Sequence, residues 1–126
     1  MNQVLILAED QNPFEQIAKD IQNLDHFEVH VFQNNLELIN YFLTNYAQLV
    51  ILDLDLLKGE TFEMVQILRS LHPESKIVLF LSPENMPICS EALSLGVLSY
   101  QVKPVSRNRI LEIIDSALHL GIDRPR

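Results

Sequence analysis

Six residues set far apart in the chain have side chains that could do chemistry together: the acidic pair Glu9-Asp10, then Asp53, Ser82 and Lys103-Pro104. Three carboxylates gathered without a cation repel one another, and a hard divalent ion with oxygen ligands relieves that repulsion, as Mg²⁺ sites commonly do. A carboxylate is also a nucleophile towards phosphorus, with an acyl phosphate as its product. A metal ion and a lysine would offset the charge on the phosphoryl oxygens, and a serine hydroxyl can donate to one of them. Asp53 is the best placed nucleophile. Taken singly, each residue has a plainer reading. An aspartate at a strand end caps the next helix, a lysine beside acids makes a salt bridge, and Ser-Pro marks a turn. The ordered set is what points to phosphoryl chemistry.

The elements that must position these residues alternate five strand-type runs with five helix-type patterns, which argues for a parallel sheet with helices on both faces. Val4–Leu7, Leu49–Leu52 and Ile77–Leu81 are continuous apolar runs, as expected of interior strands covered on both sides. Phe27–Val31 and Leu98–Val102 alternate apolar with polar and fit the two edges. The doubly wound order 2-1-3-4-5, the flavodoxin-like α/β fold, places its second and fifth strands there. Asn12-Pro-Phe-Glu15 predicts a capped helix start, with Ile17, Ile21 and Leu24 on one face. The last helix is predicted to follow a Ser106 cap, carry Ile110, Ile113, Ile114, Ala117 and Leu118 as one stripe, and end near Gly121. Helices are also expected at about Leu36–Asn45, Thr61–Leu71 and Glu84–Leu95. In such a sheet ligands bind beyond the carboxyl ends of the strands, where the first and third lie side by side. Glu9-Asp10, Asp53, Ser82 and Lys103-Pro104 follow the first, third, fourth and fifth strands and would converge there.

Composition narrows the classes. At 126 residues with 48% hydrophobic and 21% charged residues, the chain has enough apolar material for one core. The formal net charge of −8 disfavours nucleic acid and anionic membrane and favours protein partners. No apolar run approaches a membrane span, and the start lacks a basic region before an apolar stretch, so a cytoplasmic location is expected. The lone Cys89 has no partner for an internal disulfide. His26, His30, His72 and His119 show no ligand spacing and are expected at the surface or sheet edge.

With these residues in place, the chain resembles the response-regulator receiver family of two-component signalling over essentially its whole length. The resemblance rests on Glu9-Asp10, on Asp53 in Val50-Ile-Leu-Asp-Leu-Asp-Leu56, on Ser82 closing Ile77-Val-Leu-Phe-Leu-Ser82, on Tyr100-Gln-Val-Lys-Pro104, and on the turn at Leu95-Gly96-Val97. It implies a receiver domain over residues 1–121, with 122–126 a C-terminal tail or the start of a linker. It implies that Asp53 accepts a phosphoryl group from a histidine kinase or phosphotransfer protein. It further implies that Asp10 and Asp53 ligate Mg²⁺, with Glu9 acting through water and the Asp55 backbone carbonyl completing the set. A cis bond between Lys103 and Pro104 and a switch in which Ser82 moves and Tyr100 turns inward follow from the same likeness. The switch would alter the face made by the predicted fourth helix, the fifth strand and the last helix. That face would serve a downstream protein, a fused output domain or a second copy of the chain. The domain would catalyse only its own phosphorylation and dephosphorylation and would not otherwise be an enzyme.

Several positions depart from the family. Leu57 stands where a proline is usual, and Thr61 where a loop-closing glycine is, although Gly59 remains in the loop. Pro83 follows the hydroxyl residue and removes a backbone N–H that the family directs at the phosphoryl group. By the family fold, Asp55 and Glu84 are expected to flank the mouth with no cation to offset them, either repelling an anionic phosphodonor or standing simply as solvated loop acids. Two other readings remain open. One is a pseudo-receiver, a phosphorylation-independent interaction module, which Pro83 favours. The other is a flavin-binding electron carrier of the same architecture, against which stands the acidic first loop Ala8-Glu-Asp-Gln-Asn12 in place of a phosphate-cradling one.

Overall fold

The computed structural model describes residues 2–9 and 27–118. Five strands, β1 (Asn2–Leu7), β2 (Phe27–Phe32), β3 (Leu49–Asp53), β4 (Lys76–Leu81) and β5 (Ser99–Val102), form one sheet in the order β2-β1-β3-β4-β5. Every pairing is parallel. The helices are α1 (Asn35–Thr44), α2 (Thr61–Leu71), α3 (Cys89–Ser94) and α4 (Arg107–Leu118), joined by short 3-10 segments at Leu54–Leu56 and Pro83–Ile88. The expected first helix from Asn12 and the chain beyond Leu118 lie outside the described residues, as do Asp10, His26 and His119.

The continuous aliphatic runs have a direct cause. Successive side chains of a strand point to opposite faces, and both faces of this sheet are covered. Leu5, Leu7, Val50, Leu52, Ile77 and Leu79 join one cluster with Leu38 and Phe42 of α1 and Met64, Val65 and Leu68 of α2. Val4, Ile6, Leu49, Ile51, Val78 and Phe80 join a second with Ile110, Ile113 and Ile114 of α4. At about 2 kcal/mol for each large side chain removed from water, this double layer is the main force holding the strand ends in register.

Local signals set the helix ends. The Asn34 side chain accepts from the amides of Leu36 and Glu37 to start α1, and the Ser106 hydroxyl accepts from Arg109 N at 3.1 Å to start α4. α2 has the predicted bounds. The helix expected at Glu84–Leu95 is shorter: Pro83–Ile88 is 3-10, and regular α-helix begins only at Cys89. Pro87 is the reason, since it lacks the N–H an α-turn would use and its ring crowds the preceding turn. Cys89 is buried, and burial pushes its thiol up from the ordinary value. His30 is half-buried on edge strand β2. His72 is half-buried too, its Nε2 lying 2.9 Å from the Phe42 carbonyl, which makes that nitrogen the protonated one.

Candidate phosphoacceptor site at the strand carboxyl ends

β3 and β4 are in register through Asp53 and Phe80, so Asp53 ends its strand level with the last residues of β4. Ser82 follows Leu81 directly. Lys103 follows Val102, and its backbone N–H donates to the Leu81 carbonyl at 2.8 Å. The Lys103–Pro104 peptide bond is cis. Three residues separated by up to 50 positions thus meet at one rim.

Asp53 is 8% exposed, among the few buried charged groups. Lys103 Nζ donates to its Oδ1 and Oδ2, each at 2.7 Å. Oδ1 also accepts from the Asp55 amide at 3.0 Å, so the same carboxylate caps the 3-10 turn that follows β3. That turn directs the Asp55 side chain towards the end of β4. There it accepts from the Ser82 amide at 3.1–3.2 Å, from Ser82 Oγ at 2.6 Å, from Asn85 Nδ2, and from Lys103 Nζ at 2.8 Å.

This corrects one expectation. Asp55 is not an unpaired acid at the mouth, because Lys103 lies between it and Asp53 and pairs with both. Partial burial works against the Asp55 carboxylate, but the bonds from Lys103, Ser82 and Asn85 outweigh it and hold the group well below the usual carboxylate range. Burial likewise works against the Lys103 ammonium, and the hydrogen bonds and charges of Asp53 and Asp55 outweigh it, so its pKa is raised. Sequence reasoning also missed Asn85, whose placement depends on the 3-10 turn closed by Asn85 N donating to the Ser82 carbonyl at 2.9 Å. The only available signal was Pro83 at the start of that turn.

Beside these groups lies a cleft of about 520 Å³ whose lining includes Asp53, Ser82, Pro83, Glu84, Lys103 and Pro104. Glu84 is exposed on it and makes no ion pair among the described residues. Glu9 is exposed at the end of β1, with its backbone carbonyl accepting from Gln33 Nε2 at 3.2 Å. Tyr100 is half-buried on β5, its ring packed against the cluster that contains Leu5 and Leu79. In the altered loop, Leu57 is buried, Lys58 and Gly59 both have positive φ, and the buried Thr61 hydroxyl has no hydrogen-bond partner among the described residues.

Comparison with known proteins decides the family: the profile described as "Response regulator receiver domain" matches residues 4–115. The chain belongs to the response regulator receiver family. It is 30% identical over 112 residues to the transcriptional regulatory protein CitB of Klebsiella pneumoniae, an alignment covering 87% of this chain and 48% of that protein. The chain spans about half the length of the curated relatives it matches. The fold is shared with the non-phosphorylated HemR receiver domain of Leptospira biflexa, at a TM-score of 0.78 and 18% identity over 100% of this chain and 99% of that one. A response regulator from Hahella chejuensis superposes with a TM-score of 0.80 at 17% identity, covering 98% of this receiver domain and 100% of that chain. The flavodoxin-like order of this receiver's sheet is that of a two-component signalling module, and among the described residues no helix is long and apolar enough to cross a membrane.

Proposed function

We propose that this receiver domain takes up a phosphoryl group on Asp53 and uses it to switch a protein-binding face. The observation that carries the proposal is the meeting of Lys103 Nζ with both Asp53 oxygens at 2.7 Å, in a group that Ser82 joins through Asp55. An Asp53 oxygen attacks the phosphorus of a phosphohistidine, the P–N bond breaks as the new P–O bond forms, and the histidine leaves with the electron pair and takes up a proton. Lys103 orients the carboxylate and meets the charge that arrives on the phosphoryl oxygens. Ser82 supplies a hydroxyl donor.

The donor set suits Mg²⁺. Two partly buried carboxylates, Asp53 and Asp55, share one ammonium and leave an excess negative charge that a hard divalent ion relieves. Asp53, the Asp55 backbone carbonyl and Asp10 would hold the ion, with Glu9 acting through water, and the ion would supply further neutralisation of the transferring group. The kinase or phosphotransfer protein, the downstream partner, the switch through Tyr100 and the cytoplasmic setting belong to the same proposal. The receiver catalyses only its own phosphorylation and dephosphorylation.

Intact-mass measurement after incubation with phosphoramidate and Mg²⁺ tests it. One phosphoryl group should add to the wild type and none to Asp53→Asn, whose amide is a far poorer nucleophile of nearly the same volume. A phosphoryl group that persists in Asp53→Asn would overturn the assignment. No uptake by the wild type would favour the second reading, a phosphorylation-independent interaction module, for which the hold of Asp55 on Ser82 and Lys103 and the loss of an N–H at Pro83 already speak.

A further inference from the structure

The Asp55 side chain has no part in the phosphoryl transfer described above, yet it collects donors from three residues, Ser82, Asn85 and Lys103. Its two oxygens accept from the Ser82 amide, the Ser82 hydroxyl at 2.6 Å, Asn85 Nδ2 and Lys103 Nζ at 2.8 Å. These are donors of the kind that a phosphoryl group on Asp53 needs for its own oxygens, and they are few. Pro83 offers no N–H. The single Ser82 hydroxyl proton is committed to Asp55. An ammonium has three protons, and the three acceptor contacts of Lys103, at 2.7, 2.7 and 2.8 Å, use them all. Phosphorylation converts the Asp53 carboxylate to an acyl phosphate, a mixed anhydride whose carboxyl oxygens no longer carry the charge, and so loosens the two Lys103 bonds made to it, but leaves the one made to Asp55 in place.

We propose that the Asp55 carboxylate is a resident substitute for the phosphoryl group: in the unmodified domain it occupies Ser82, Asn85 and one proton of Lys103, and it must be displaced before Ser82 and Asn85 can serve a phosphoryl group on Asp53. The inference rests on the Asp53 reading for what is displaced, and not for the contact itself. It makes Asp55 a built-in competitor that keeps Ser82 drawn in without phosphate and weakens the hold on phosphate once it arrives. A purely long-range repulsion by Asp55 is a different mechanism with a different salt response, because a direct, partly buried pair is screened less than two exposed charges held apart.

The test is titration of the full chain with beryllofluoride, an analogue of the bound phosphoryl group, in the presence of Mg²⁺. Wild type, Asp55→Ala and Asp55→Asn are compared at about 0.01 M and about 1 M salt, where the Debye length falls from about 30 to about 3 Å. All three keep the Asp55 backbone carbonyl. Asp55→Ala should bind about tenfold tighter than wild type at both salt concentrations, with Asp55→Asn between them because its amide oxygen retains one acceptor. Equal affinities, or a gap that closes at high salt, would overturn the proposal. The Ser82 amide and Lys103 ammonium signals of the unmodified proteins, read by NMR, give an independent arm. Both should move on Asp55→Asn, and unmoved signals would overturn the proposal. If no variant binds beryllofluoride while those signals do move, the Asp53 reading fails and the Asp55 occupancy stands.

Discussion

At the scale of single residues, the site is one cation between two acids, and its stability should follow their titration. The folded-state pKa of Asp55 is depressed, so its contribution is fully present above the unfolded value of about 4 and is lost as pH falls through the folded one. Urea denaturation between pH 6 and 3 should show wild type losing stability more steeply than Asp55→Asn. Parallel curves would mean that the bonds from Ser82, Asn85 and Lys103 do not favour the ionised form. Lys103 has the opposite sign: its raised pKa gives stability that is present below its ordinary value and lost only as pH rises past it. Removing it should be costly. Lys103→Ala leaves Asp53 and Asp55 facing each other, and we expect a loss of about 1–2 kcal/mol, less than for a fully buried pair because the lysine side chain is 34% exposed. Mg²⁺ should then raise the melting temperature of Lys103→Ala more than that of wild type, since the ion takes over the neutralisation. An equal or smaller shift would mean the metal does not share this charge.

At the scale of elements, two glycines separate strain from crowding. Gly59, in the loop that departs from the family, has φ +90° with nothing within 4 Å of an added Cβ, so Gly59→Ala adds only backbone strain. Calorimetry should show a melting temperature lowered by about 3–5 °C, for a cost of about 1 kcal/mol. Gly96, with φ +94°, would place its Cβ 2.9 Å from Arg69 Cζ, and the Arg69 guanidinium also donates to the Gly96 carbonyl. Gly96→Ala should therefore cost more than Gly59→Ala, and the reverse order would contradict the account. The elements also show what the sequence made legible. The interior strands announce themselves because alternate residues such as Leu5 and Ile6 serve two different cores. α2 is as expected because its apolar spacing is regular and nothing in it opposes an α-turn. α3 is shorter than its pattern because Pro87 removes one N–H, a single-atom effect that an apolar stripe does not register.

At the scale of the whole molecule, the strand order carries information that no local stretch contains. Asp53, Ser82 and Lys103 are legible as candidates because each directly follows a strand, and the sheet order sends those ends to one rim. The partnership of Asp55 was not legible, because its direction is set by the 3-10 turn that Asp53 caps and its donors come from two other strands. Asn85 depends in the same way on the turn beginning at Pro83. The net charge of −8 gives the domain a field that disfavours anionic donors, so the proposed phosphoryl uptake would depend on the local offset that the Lys103 ammonium provides at Asp53.

If the domain works as proposed, its phosphoryl group sits on Asp53 and nowhere else. Borohydride reduces an acyl phosphate to the alcohol, so trapping the phosphorylated domain and sequencing its peptides by mass spectrometry locates the modified carboxylate directly. Homoserine is expected at position 53, dependent on Mg²⁺, with Asp55 and Glu84 intact. Reduction at any other acid, or none at Asp53 while intact mass shows a phosphoryl group, would contradict it.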